Sequence, residues 1–141
     1  MIPGLCCGIN CKRAFFAFVA VFAFIFASDF LIHGKLLENA YQATASLWRS
    51  DAEMKGYCGW MLLGQLLVAK MFVVIFAKGY EGKGMIEGVR FGVLAGLFSV
   101  SHYFIQYAVT PIPRSLFAAW VATSFIQMIV AGIIASMVYK K

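Results

Sequence analysis

The residues of this chain best suited to chemistry are an acid and an imidazole in the stretch "DFLIH", Asp29 and His33, which are four positions apart and share one face of a helix. The chain has one other histidine, His102. Two histidines on different helices can bind a b-type haem, and Asp29, His33 and His102 together could hold a metal ion. The structural alternative is a hydrogen bond from His33 to Asp29.

The depths of the two histidines weigh against a shared cofactor. By helix rise, His102 lies roughly 12 Å inside the end of its helix, whereas His33 lies nearly at the end of its own. We therefore predict no cofactor, and keep haem or a metal ion as a hypothesis. Near the N-terminus, Cys6, Cys7 and Cys11 have no fourth ligand nearby and are predicted to be free thiols.

The elements that must position these residues are membrane helices. The chain is 62% hydrophobic and 13% charged, and so few charges cannot cover a water-exposed surface. Four largely apolar runs are each long enough to cross roughly 30 Å of hydrocarbon: 14–34, 57–77, 85–110 and 115–138. The sequence predicts an all-α integral membrane protein in which residues 1–141 form one domain of four transmembrane helices.

The net charge of +6 does not indicate a nucleic-acid partner, because the basic residues are scattered at the ends of the spans. Their placement instead indicates topology. One predicted side of the membrane carries Lys12, Arg13, Lys78, Lys83, Lys140 and Lys141. The other side carries Lys35, Arg49, Lys55 and Arg114, which acids offset. We therefore predict that both termini are cytoplasmic and that the lipid bilayer, not nucleic acid, surrounds the protein.

The segment between the first two spans, "KLLENAYQATASLWR" at 35–49, has the pattern of an amphipathic helix. Tyr41 and Trp48 fall on its apolar face, which suits a helix lying in the outer interface of the membrane. Packing against a partner protein is the alternative. Ser50 and Glu53 then form a capping box, so the second span is predicted to start near Asp51.

Small residues recur every fourth position in the third span, at Gly84, Gly88, Gly92 and Gly96. This spacing predicts close contact with another helix, because small residues let two backbones approach each other within lipid. Continued along the helix, the same face includes His102. We therefore expect His102 to point into the bundle or toward a partner.

Charged and amide side chains within the spans suggest two further contacts. Lys70, Glu87 and Arg90 are predicted to form an ion-pair cluster near the cytoplasmic side. Gln65 and Gln127 hold equivalent places in the similar stretches "QLLVAKMF" and "QMIVAGII", which hints at a duplicated hairpin. A proton path from the cluster to Asp29 through these amides would require a wet interior.

Three stretches of the chain, "DFLIHGKLLENAYQATASLWR", "KGYEGKGMIEGVRFG" and "TPIPRS", together resemble those of a loose group of short four-span bacterial membrane proteins with no assigned activity. The resemblance covers most of the chain. It implies a bacterial inner membrane and the four-span layout, and it supplies no catalytic residues.

The function predicted from the sequence is that of a non-catalytic accessory or scaffold subunit of a larger membrane complex. The glycine face and the absence of a nucleophile beside a base, of a phosphate loop and of paired carboxylates favour this interpretation. Other membrane subunits are the expected partners. The alternatives are a haem or metal redox module at Asp29, His33 and His102, and a small transporter or proton-conducting protein.

Overall fold

A computed structural model of the chain describes residues 8–140 and is all-helical in its regular structure. Its α-helices are α1 (Cys11–Leu31), α2 (Glu38–Ala43), α3 (Asp51–Lys78), α4 (Met85–Val109) and α5 (Arg114–Val138). Four segments are long and apolar enough to span a membrane: Cys11–Leu36, Asp51–Lys78, Met85–Val109 and Arg114–Val138. The predicted all-α architecture with four such helices is confirmed.

Local capping explains where two of the long helices begin. The side chain of Asn10 accepts a hydrogen bond from the backbone N–H of Arg13 and so caps α1. The predicted capping box at the start of α3 is confirmed, with the Ser50 side chain and the Glu53 side chain each accepting from the other residue's backbone. The box starts α3 at Asp51, six residues before the apolar run begins.

The predicted single amphipathic helix over 35–49 is wrong. The chain instead forms a π-helical turn at Ile32–Leu36, the short helix α2 and a 3-10 turn at Ala45–Leu47. The break after α2 has a local cause at Thr44, whose hydroxyl donates to the Ala40 carbonyl and accepts from the indole N–H of Trp48. These side-chain bonds compete with continued helix.

We call this connection, residues 32–50, the outer connector, and the end of the bundle that carries it the outer end. Its apolar side chains pack against the start of α5 and the turn before it. Leu37 is buried there together with Ile112, Leu116 and Trp120, and Tyr41 and Trp48 pack against that group. The opposite, inner end carries Tyr139 and the loop between α3 and α4.

The closest helix contact in the structure joins α4 to α5 through glycines. A Cβ atom added to Gly92 would lie 2.6 Å from the Ile129 Cα, and one added to Gly96 would lie 2.8 Å from the Phe125 ring. Gly88 and Gly132 contact each other's backbone directly. Gly84 does not take part, because it lies in the preceding loop with a φ of 67°, and a Cβ atom added to it would meet no neighbouring atom within 4 Å.

The inner half of the bundle is tightly packed, whereas the outer half of α3 is not. Val73, Phe76 and Tyr139 are almost completely buried at the inner end. Farther out on α3, the side chains become exposed, as shown by Trp60 at 70% exposure and Leu67 at 53%. The helix α1 packs against both α3 and α5. α3 is therefore held by its inner half and stands away from α4 toward the outer end.

The close contact between α4 and α5 predicts that replacing a glycine by alanine changes the free energy of unfolding at Gly92 but hardly at Gly64. Gly92→Ala forces α4 and α5 apart and should lower the free energy of unfolding by about 1–3 kcal/mol, the usual cost of overpacking. Gly64→Ala is the matched control because nothing lies within 4 Å of its added Cβ, and it should be neutral or slightly stabilising. Thermal unfolding in detergent measures both, and equal effects would contradict the packing described.

Candidate functional site

Asp29 joins three of the four long helices. Its Oδ1 accepts a hydrogen bond of 2.7 Å from the Gln127 side-chain amide on α5, and its Oδ2 accepts one of 2.7 Å from the Gln65 amide on α3. The Gln127 amide also donates to the Ser28 hydroxyl at 2.7 Å. Asp29 lies roughly 10 Å inside the end at Leu36 of the first segment that is long and apolar enough to span a membrane, so these bonds fall within that segment.

From the sequence, the two glutamines had a place only in a hypothetical proton path, and their hydrogen bonds to Asp29 were not predicted. They hold equivalent places in similar stretches of the second and fourth spans, and the structure brings both amides to one carboxylate. Each helix alone gives no reason for a buried amide. The signal that could have identified them is the need of an intramembrane acid for donors on neighbouring spans.

Both oxygens of the Asp29 carboxyl group accept a hydrogen bond from a glutamine amide. Within the described part of the chain, no lysine, arginine or histidine nitrogen lies within 4 Å of this carboxylate. The amides satisfy the oxygen atoms but bring no positive charge to them. Asp29 is therefore hydrogen-bonded but forms no salt bridge with a basic side chain of residues 8–140.

Asp29 lies at the deep end of a large cleft of about 1410 Å³ between α3 and the α4–α5 pair. The helix α1 forms the back wall and the outer connector lies across the outer end. Going inward, Ile25, Val68 and Met128 are the next side chains that line the cleft. Beyond them the inner core begins, so the cleft is open toward the outer half and closed by packed side chains toward the inner end.

Aromatic side chains line much of the outer part of the cleft. The Tyr41 hydroxyl accepts a 2.8 Å hydrogen bond from the Trp120 indole and lies 2.6 Å from Nδ1 of His33. Tyr103 accepts from Ser124 at 3.0 Å, and its ring centroid is 5.6 Å from that of Trp120. Burial raises the pKa of Tyr41, so its hydroxyl stays neutral and holds α2 against α5.

The structure does not assemble the three residues of the hypothetical metal or haem site. Asp29 binds the glutamines, His33 binds Tyr41 rather than Asp29, and His102 is exposed on α4 outside the cleft. The described residues contain no group of three or more His, Cys, Asp or Glu side chains placed to hold a metal ion. Cys11 is an exposed free thiol, while Cys6 and Cys7 lie outside the described residues.

The expected ion-pair cluster is also not formed. Glu87 is buried at 6% exposure and accepts hydrogen bonds of 2.7 and 2.8 Å from the backbone N–H groups of Glu81 and Lys83. Arg90 instead lies 3.7 Å from Glu81, and Lys70 is exposed. The loop between α3 and α4 folds back over the start of α4. Its backbone N–H groups therefore bind Glu87 in place of the predicted lysine and arginine side chains.

Comparisons of the chain with protein families, with characterised proteins and with solved structures found no match.

Gln65 and Gln127 make different numbers of hydrogen bonds, so replacing them should lower the free energy of unfolding by different amounts. Gln127 is buried at 8% exposure and makes two bonds, whereas Gln65 is half-buried and makes one. Gln127→Leu should therefore lower the free energy of unfolding by about 1–3 kcal/mol, and Gln65→Leu by less. Thermal unfolding of both variants in detergent tests this, and a larger loss for Gln65→Leu would contradict the arrangement at Asp29.

Proposed function

We propose that the protein is a non-enzymatic membrane protein that binds a small ligand in the cleft, with Asp29 as its main polar contact. The observation that carries this proposal is an acid at the deep end of a large cleft, with no basic side chain of the described residues within 4 Å of it. Ionisable groups within membrane spans are costly and commonly serve transport or ligand binding. This favours the third role considered from the sequence, that of a small transporter, over the accessory subunit.

The composition of the cleft supports a binding role. Ligand sites are mostly apolar and aromatic, with a few polar groups that converge on one point. Here Trp48, Trp60 and Trp120 provide aromatic walls, and Asp29 provides the polar contact. The volume of about 1410 Å³ is ample for a drug-sized molecule or part of a lipid.

The uneven packing of α3 supports transport as the use of this site. The cleft is closed toward the inner end by Phe72, Phe76 and Phe91, whose rings lie 4.7 to 5.4 Å apart where they meet. Release toward the inner side would require these rings to separate. The outer half of α3 has few neighbours and can change its tilt without breaking that core.

A neutral fluorescent probe, N-phenyl-1-naphthylamine, tests the cleft as a binding site. Gly64 lines the cleft and Gly59 does not, and neither has an atom within 4 Å of an added Cβ. The wild-type protein in nanodiscs should bind the probe saturably. Gly64→Phe should weaken binding at least tenfold by filling the cleft, while Gly59→Phe should leave it unchanged. Equal binding by all three proteins, or binding by none, would refute the proposal.

The accessory role remains a second candidate because of Lys70. Its side chain is exposed within the spanning part of α3, and no carboxylate of the described residues lies within 4 Å of its amine. An acidic group on a partner subunit would satisfy it. This role would be favoured if another membrane subunit co-purifies stoichiometrically with the wild-type protein but not with Lys70→Leu. Purification of the wild-type protein alone would count against it.

We also propose a bacterial inner membrane as the location, which the resemblance to short four-span bacterial membrane proteins implies, and cytoplasmic termini, which the distribution of Lys and Arg supports. We further propose that the outer connector, with the half-buried Tyr41 and Trp48, lies in the interface. Cys58 lies near the outer end and Cys11 at the inner end, and both thiols are exposed. With Cys6 and Cys7 replaced by serine, a membrane-impermeant thiol reagent added to intact spheroplasts should label Cys58 and spare Cys11. The reverse labelling would invert the topology.

A further inference from the structure

We propose that the ligand of the cleft is a monovalent organic cation with an apolar body, and that its charge pairs with Asp29. This inference rests on the proposed binding role of the cleft and adds the class of ligand. It depends on three properties of the described residues: the charged groups of the cleft lining, the polar contacts of Asp29 and the aromatic side chains of the walls.

The lining of the cleft is acidic although the chain as a whole is basic. The net charge of the chain is +6, yet the residues that line the cleft include three carboxylates, those of Asp29, Glu38 and Asp51. The basic groups of the lining are the guanidinium of Arg49 and the imidazole of His33, whose Nδ1 lies 2.6 Å from the Tyr41 hydroxyl. Arg49 is engaged with an aromatic ring, its guanidinium carbon lying 4.0 Å from the centre of the Tyr57 ring. The cleft therefore attracts cations and disfavours anions.

The deep end of the cleft carries one acid, Asp29, with no basic side chain of the described residues within 4 Å. The Gln65 and Gln127 amides fix the carboxylate of Asp29, but they contribute dipoles rather than a positive charge. Attraction between opposite charges is much stronger inside the membrane than in water, because the local dielectric constant is low. One carboxylate with no second acid beside it matches a single positive charge.

The walls favour an organic cation over a bare metal ion. Tyr41, Trp48, Tyr103 and Trp120 form a continuous aromatic group whose neighbouring ring centroids are 5.6 to 6.5 Å apart. Aromatic faces attract cations by about 0.5–2 kcal/mol each and also accept apolar groups. The described residues offer no group of three or more His, Cys, Asp or Glu side chains to ligate a metal ion.

Ligand binding in the cleft can be followed by the fluorescence of the chain's own tryptophans. All three of its tryptophans, Trp48, Trp60 and Trp120, line the cleft, so intrinsic tryptophan fluorescence reports on the cleft without a label. The probes are tetraphenylphosphonium and tetraphenylborate, which have the same shape and opposite charge. Titrated into the purified protein in detergent, tetraphenylphosphonium should change the fluorescence saturably, with a Kd at least tenfold lower than that of tetraphenylborate.

Two acid-to-amide variants locate the charge. Asp29→Asn should weaken the binding of tetraphenylphosphonium at least tenfold. Glu81→Gln, at an exposed acid in the α3–α4 loop outside the cleft, should leave it unchanged. Thermal unfolding confirms that each variant is folded. If Asp29→Asn is unfolded, the comparison of the two ions on the wild-type protein decides the assignment.

The results show whether the inference about the cation fails alone or together with the proposed binding role. Similar affinity for both ions, or a preference for the cation that survives in folded Asp29→Asn, overturns the assignment of a cation at Asp29. The cleft then remains a binding site as long as the neutral probe still binds and Gly64→Phe removes it. Failure of both ions and of the neutral probe overturns the inference and the proposed function together.

Discussion

The hydrogen bonds from Gln65 and Gln127 to Asp29 are the constraint on which the arrangement of the spans depends. A polar group in hydrocarbon must be satisfied within the protein, because lipid offers neither donors nor acceptors. The carboxylate on α1 meets this requirement with one amide from α3 and one from α5. α1 is thereby fixed between these helices at the depth where the inner core ends and the cleft begins.

The glycine contact between α4 and α5 explains why this arrangement leaves a cleft. Gly88, Gly92 and Gly132 let the two backbones approach closely, so α4 packs against α5 rather than against α3. α3 contacts the remaining bundle through α1 and through its inner aromatic residues. The space between the outer half of α3 and the α4–α5 pair is consequently unfilled by side chains of the described residues, and Asp29 faces it.

The sequence predicted the features that depend on one helix at a time. Hydropathy placed the four long apolar helices, because burial in lipid needs a continuous apolar run whatever its neighbours are. The capping box at Ser50 and Glu53 was also predictable, since it involves residues three apart. The outer connector was predicted less well, because Thr44 and Trp48 interrupt it through side-chain bonds that a helical wheel does not represent.

The features that depend on which helices meet could not be predicted in this way. A spacing of four residues drifts by about 40° per step around a helix, so the face that contacts α5 moves from Gly88 toward Gly96 and Val100. His102 lies about 120° from Gly96 on that helix and is therefore exposed, although it lies close to the direction of Gly88. Similarly, Glu87 was predicted to pair with Lys70 and Arg90, because a helical wheel does not represent the backbone N–H groups of the α3–α4 loop that bind it.

Asp29 also links the cleft to the position of α3. Gln65 is the residue through which the middle of α3 is hydrogen-bonded to Asp29, and inward of it the helix is held by Ala69, Phe72 and Val73 in the apolar core. Side-chain packing and interhelical hydrogen bonds both hold helices together in lipid, and a hydrogen bond is in addition directional. In the proposed binding role, a ligand that competes with Gln65 for Oδ2 of Asp29 would remove that restraint, while Gln127 would still hold α1 to α5. The proposed ligand contact and the restraint on α3 therefore involve the same carboxyl group.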